Sequence, residues 1–144
     1  AFSPDLATLY FCDSRLARIY AYSYDGDTGS LDAGRILVET PRDDWERIGR
    51  GDGLTVDSEG NLWSARWDGG CVLKFDPAGK PLAQVPMPAR KITSLAFGGP
   101  AYSDLYATSA GGQNKDTDGQ HAGGIFRLQP GVRGRPEFLS RIAL

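Results

Sequence analysis

Leu62-Trp63-Ser64-Ala65-Arg66-Trp67-Asp68-Gly69-Gly70-Cys71-Val72-Leu73-Lys74-Phe75 is two short apolar runs joined by an Asp-Gly-Gly turn signal, which is how two β-strands are written. The pair occurs twice more. Leu9-Tyr10-Phe11-Cys12 and Leu105-Tyr106-Ala107-Thr108 repeat the first run, each opening on Leu and an aromatic. Arg18-Ile19-Tyr20-Ala21-Tyr22 and Gly124-Ile125-Phe126-Arg127-Leu128 repeat the second. Copies of the second run are evenly spaced, with Ile19, Val72 and Ile125 each 53 residues apart. Copies of the first are not, since Leu9 and Leu62 are 53 apart but Leu62 and Leu105 only 43. The mismatch resolves into a unit of about 43 residues carrying two insertions of about ten, one around 41–50 and one around 111–120.

A unit of that length is a propeller blade and is too short for a strand-helix unit with its loops. Each copy reads as an inner strand (1–3, 54–56 and 94–97), a turn, the Leu-aromatic strand, a loop, the Ile/Val strand, a second turn and an outer strand such as 35–38. The reversals carry suitable residues, in Ser3-Pro4-Asp5, Asp25-Gly26-Asp27-Thr28-Gly29, Asp57-Ser58-Glu59-Gly60-Asn61 and Asp76-Pro77-Ala78-Gly79-Lys80. Only 43–48 could hold a turn or two of helix. The expected fold is therefore all-β, a partial β-propeller of three four-stranded antiparallel blades at 1–40, 51–88 and 92–144. Closed propellers use roughly four to eight blades, so three are read as part of a six-bladed ring. The remaining blades are expected from a missing N-terminal half or from a second chain, because the sequence opens inside an inner strand without an initiating Met. In such blades the second-to-third loop and the connection between blades share one end. Both insertions fall there, which marks that end as the one bearing the site.

Composition narrows the function. Sixteen basic against 18 acidic side chains, with 40% apolar residues, describe a soluble chain with a core and no basic patch for nucleic acid. The charges of 42–50 alternate in sign, as in a solvated loop. No apolar run reaches membrane-spanning length and no secretion signal opens the chain, so a cytoplasmic protein without a membrane role is expected. Cys12 and Cys71 lie in strand runs without CxxC spacing and are read as free buried thiols.

Gly51-Asp52-Gly53-Leu54-Thr55-Val56-Asp57 places a carboxylate at the mouth of an inner strand, directly after the first insertion. Flanking glycines allow a sharp turn and the close approach of a ligand. Asp52 there suits a hard divalent cation or a base acting on water, or else caps its own backbone. Trp67 and Trp45 are candidates for stacking on a sugar ring, or for blade packing and loop anchoring. Thr93 faces the channel or hydrogen-bonds between blades, and His121, the one histidine, reaches substrate or is solvated. Asp25-Gly26-Asp27-Thr28-Gly29-Ser30 lacks the sixth-position Gly and closing Glu of a calcium loop and is read as a hairpin turn. The Gly-x-Ser-x-Gly elbow of serine esterases is missing.

Asp52-Gly53-Leu54-Thr55-Val56-Asp57-Ser58-Glu59-Gly60-Asn61-Leu62-Trp63 resembles the "DG…D.EG.LW" signature of the regucalcin and gluconolactonase family. Phe2-Ser3-Pro4-Asp5, Tyr10-Phe11-Cys12-Asp13-Ser14, Thr93-Ser94-Leu95-Ala96-Phe97-Gly98-Gly99 and Ala122-Gly123-Gly124-Ile125-Phe126 agree in order along the chain. The resemblance implies a six-bladed propeller with one divalent metal on its axis, held by a Glu, an Asn and an Asp, of which Asp52 matches the Asp and also activates water. The implied Asn falls just before residue 1, and the Glu and the sugar-contacting residues lie in other blades. It further implies hydrolysis of a small sugar lactone, with calcium favoured over zinc as the metal. A phosphoester hydrolase on the same propeller, and a non-catalytic calcium-binding propeller, are the alternatives. The 144 residues alone are expected to be inactive.

Overall fold

The short apolar runs pair into antiparallel ladders. The computed structural model describes residues 1–136 and contains ten strands in three sheets. The first holds β1 (Thr8–Asp13), β2 (Arg18–Ser23) and β3 (Arg35–Glu39) in that order. The second holds β4 (Arg50–Val56), β5 (Leu62–Trp67), β6 (Cys71–Phe75) and β7 (Pro81–Pro86). The third holds β8 (Ile92–Gly98), β9 (Asp104–Ser109) and β10 (Ile125–Leu128). These are three successive blades of a β-propeller.

Among the described residues, four strands are present only in the middle blade. In the first, the inner strand expected at 1–3 appears as two pairings ahead of the turn held by Ser3 Oγ on Asp5. Ala1 and Tyr10 exchange backbone hydrogen bonds of 3.0 and 2.7 Å, and Phe2 bridges Leu9. In the third blade, residues 129–136 after β10 leave the sheet instead of pairing with it. They cross the end opposite both insertions, where Ser58 N–H donates to Arg133 O, Gly134 bridges Asp57, and Arg135 reaches Ser3 O. Part of the expected third unit, 137–144, lies outside the described residues.

The middle blade is covered on both faces, which is why β5 and β6 read as continuous apolar runs and not as an alternation. One core packs Tyr10, Ile19 and Ala21 of the first blade against Leu62, Cys71, Leu73 and Phe75 of the second. The other packs Trp63, Ala65 and Val72 against Ile92, Leu95, Phe97, Leu105 and Ala107 of the third. Neighbours along β6 therefore serve different cores, Val72 one and Leu73 the other. Trp63 meets Phe97 edge to face at 6.2 Å. Each large aliphatic so buried contributes roughly 1.5–3 kcal/mol.

Both insertions contain short helices. Arg42–Asp44 form a 3-10 turn that runs into α1 (Trp45–Ile48), and α2 (Lys115–Asp118) follows β9. The second was not expected, since a single polar turn of four residues leaves no 3.6-residue period to read. The two insertions lie at the same end. Gly49 packs against Gly69 of the β5–β6 turn, and Asp118 O accepts from Arg90 N–H at the entry to β8. Among the described residues no helix is long and apolar enough to cross a membrane.

Candidate metal and substrate site

Asp52 owes its direction to a bulge. Along β4 and β5, Gly51 pairs with Arg66 and Leu54 with Ser64, so Asp52 and Gly53 together oppose Ala65. The next blade repeats the device: Ile92 pairs with Ser109 and Ser94 with Thr108, leaving Thr93 as the extra residue. Bulges re-aim side chains at the rims of sheets, and here they do so at corresponding places on two neighbouring inner strands. The glycines beside Asp52 answer a different need from the one expected. Neither has positive φ. A Cβ on Gly51 would lie 2.6 Å from Cys12 Sγ, and one on Gly53 would lie 2.7 Å from Thr93 O. They let the three blades close on one another around Asp52.

The Asp52 carboxylate is half-buried, and burial pushes its pKa up. It makes no hydrogen bond or ion pair among the described residues. Asp57, at the far end of the same strand, is its opposite. Fully buried, it accepts from Glu59 N–H, Asn61 N–H and Asn61 Nδ2, from Trp63 Nε1 at 3.0 Å, and from Lys74 Nζ at 3.1 Å. Burial raises its pKa, but the donors from Trp63, Asn61 and Lys74 outweigh that and hold it below the ordinary carboxylate value. In the Asp-x-Glu-Gly-x-Leu-Trp string, Asp57 is thus the hub of a turn, and Asp52 the acid left open.

Asp52 lines a cleft of about 280 Å³ with Ser14, Arg15, Arg50 and Trp67. Of the other expected site residues, Trp67 is therefore beside Asp52. Thr93 lies against Gly53 but turns its hydroxyl to Thr108 Oγ1 in its own blade, at 2.7 Å. His121 is exposed on the turn after α2 and is not among the residues lining this cleft. Trp45 anchors the first insertion, its Nε1 donating to Thr40 O while Arg42 and Arg50 lie 5.4 and 5.1 Å from its ring. Cys71 is buried, and burial raises the Cys12 thiol to about 11, so neither is a ready nucleophile.

Two supports of this cleft were missed by sequence reasoning. Arg66, 1% exposed, donates to Ile48 O, Gly49 O and Thr40 Oγ1 and so clamps the first insertion. Lys91 donates to both oxygens of the buried Asp118 carboxylate at 2.8 Å and lies over Trp67, tying the second insertion to the cleft wall. The one signal in the sequence was Arg66 itself, a charge inside an apolar strand run.

The profile of the SMP-30/Gluconolactonase/LRE-like region matches residues 1–111, which contain Asp52, Trp67 and Thr93 but not His121. This chain belongs to the SMP-30/gluconolactonase family. Within that family it is 42% identical to Pentonolactonase XacC of Haloferax volcanii over 99% of this chain and 50% of the relative. A regucalcin of Agrobacterium tumefaciens, described as a calcium-binding protein, superimposes with a TM-score of 0.86 at 32% identity, covering 98% of this chain and 48% of that one. A gluconolactonase of Xanthomonas campestris gives 0.60 at 31%, covering 74% and 32%. The chain spans about half the length of the curated relatives it matches.

Regucalcin's calcium prompts the question of what this member of the SMP-30/gluconolactonase family could hold. Among the described residues no three His, Cys, Asp or Glu side chains come together as a metal group. Among the described residues lining the cleft, Asp52 is the one carboxylate, and it has no partner. An unpaired, partly desolvated carboxylate fits a hard cation as one ligand of a larger oxygen set, and not as a complete site.

Proposed function

We propose that this chain contributes three blades to a propeller that hydrolyses sugar lactones, with Asp52 as both one ligand of a divalent cation and the base that takes a proton from the attacking water. Two things support the reading: membership of a family with a named pentonolactonase and gluconolactonase, and an acid left without a partner at a bulge on an inner strand. Calcium is favoured over zinc, because carboxylate oxygen suits a hard cation and a relative is described as calcium-binding. The further ligands and blades come from outside the described residues.

A bound divalent cation would polarise the lactone carbonyl and offset the charge of the developing oxyanion. Asp52 holds water through a carboxylate oxygen and accepts its proton as the water oxygen adds to the acyl carbon. The ring C–O bond then breaks, the ring oxygen leaves as a hydroxyl on taking up a proton, and an open sugar acid results. Trp67 offers an apolar wall to the face of the sugar ring, and Thr93, at the matching bulge of the next blade, borders the substrate from the other side. No role follows for the exposed His121. Acid release from pentono- and gluconolactones by the full-length protein, followed at constant pH, tests the reading. Release that stops on chelation and returns with calcium is expected. A rate no faster than spontaneous ring opening would overturn it.

A further inference from the structure

The cleft over Asp52 carries more positive charge than the chemistry above uses. Arg15, on the loop between β1 and β2, has an exposed side chain with no carboxylate, carbonyl or ring partner among the described residues. Arg50 has no carboxylate partner either; it lies on the Trp45 ring, 5.1 Å away. Neither neutralises Asp52, whose carboxyl is shifted by burial alone. Three other basic residues at this end are paired: Arg47 to Asp44, Arg90 to Asp68, Lys91 to Asp118. Two guanidiniums thus remain open on the one cleft that holds the open acid.

The position of Arg50 is built in. Trp45 is fixed by its bond to Thr40 O, and the segment leading from it into β4 is fixed by Arg66 on Ile48 O and Gly49 O. The first insertion therefore delivers Arg50 to the cleft on a preset aromatic surface. Across from it Trp67, held under Lys91 by the second insertion, forms the wall. A neutral sugar ring needs the wall but not two unpaired guanidiniums, whereas an anionic group matches their planar forks.

We infer that this cleft selects sugar lactones carrying a second anionic group, with Arg15 and Arg50 as the residues that bind it. The inference rests on the lactonase reading and specifies its substrate class. The test compares kcat/KM of the full-length protein for neutral glucono-1,5-lactone, carboxylate-bearing glucaro-1,4-lactone and phosphate-bearing 6-phosphoglucono-1,5-lactone. The same three are measured for Arg15→Ala, Arg50→Ala and Arg50→Lys. A preference for a charged lactone is expected that falls with added salt; which charged substrate leads identifies carboxylate or phosphate. Each Ala variant should lower the charged-to-neutral ratio about tenfold, through KM more than kcat, and Arg50→Lys should restore part of it. An unchanged ratio in both Ala variants, with neutral lactone still turned over, overturns this inference and leaves the lactonase reading standing. Failure to hydrolyse any of the three overturns both.

Discussion

Asp52 and Asp57 stand five residues apart, at either end of one strand and its turn, and the structure treats them in opposite ways. Asp57 is saturated with donors, so its removal strands buried groups of Trp63, Asn61 and Lys74. Asp57→Ala should cost about 3 kcal/mol in urea unfolding. Its carboxyl is held below the ordinary value in the fold, so its stabilisation is complete above the unfolded-state pKa and is lost as pH falls through the folded one. Melting temperature should accordingly drop more steeply below about pH 4 in the native protein than in Asp57→Asn. Asp52 has the reverse sign. Burial without a partner raises its pKa, so its charge opposes folding at neutral pH. Asp52→Asn should raise the melting temperature of the metal-free protein and abolish any increase that calcium produces in the native one. The sequence marked Asp52 through its flanking glycines, although for the wrong local reason: Gly51 and Gly53 admit Cys12 and Thr93, not a sharp turn. It could not show that Asp57 is spoken for, because the Trp63 and Lys74 donors become neighbours only once β4, β5 and β6 pair.

At the scale of elements, spacing alone located the strands and both insertions, because a blade repeats its apolar runs at a fixed interval. The bulges left no such trace. One extra residue opposite Ala65 or Thr108 is visible only in the pairing, yet it turns Asp52 and Thr93 out of the ladder. The insertions, the first of which reads in sequence as a solvated loop, are clamped from beneath by buried or half-buried cations, Arg66 for the first and Lys91 for the second. Hydrogen exchange should locate the first clamp. In Arg66→Met, amides of 41–49 should lose protection selectively while β5 and β6 keep theirs, since the apolar replacement fills the space but offers nothing to the carbonyls of Ile48 and Gly49. Loss of protection throughout the middle blade instead would mean that Arg66 supports the blade core and not the loop.

At the largest scale, the described residues form a middle blade between two others, with one core at each interface. That arrangement leaves outer blades covered on one side, with Phe11 52% and Ile125 72% exposed. In mass-resolved sizing, the 144-residue chain by itself should run above its 15.5 kDa monomer mass, and a stable monomer would argue that three blades suffice. On the proposed reading the same geometry accounts for an incomplete site: inner strands would meet around an axis to which each blade brings one or two groups, and the described residues bring one open carboxylate, Asp52. The central claim is that this carboxylate works. In the full-length protein with saturating calcium, Asp52→Ala should reduce lactone hydrolysis by at least about a hundredfold; an unchanged rate would contradict the account.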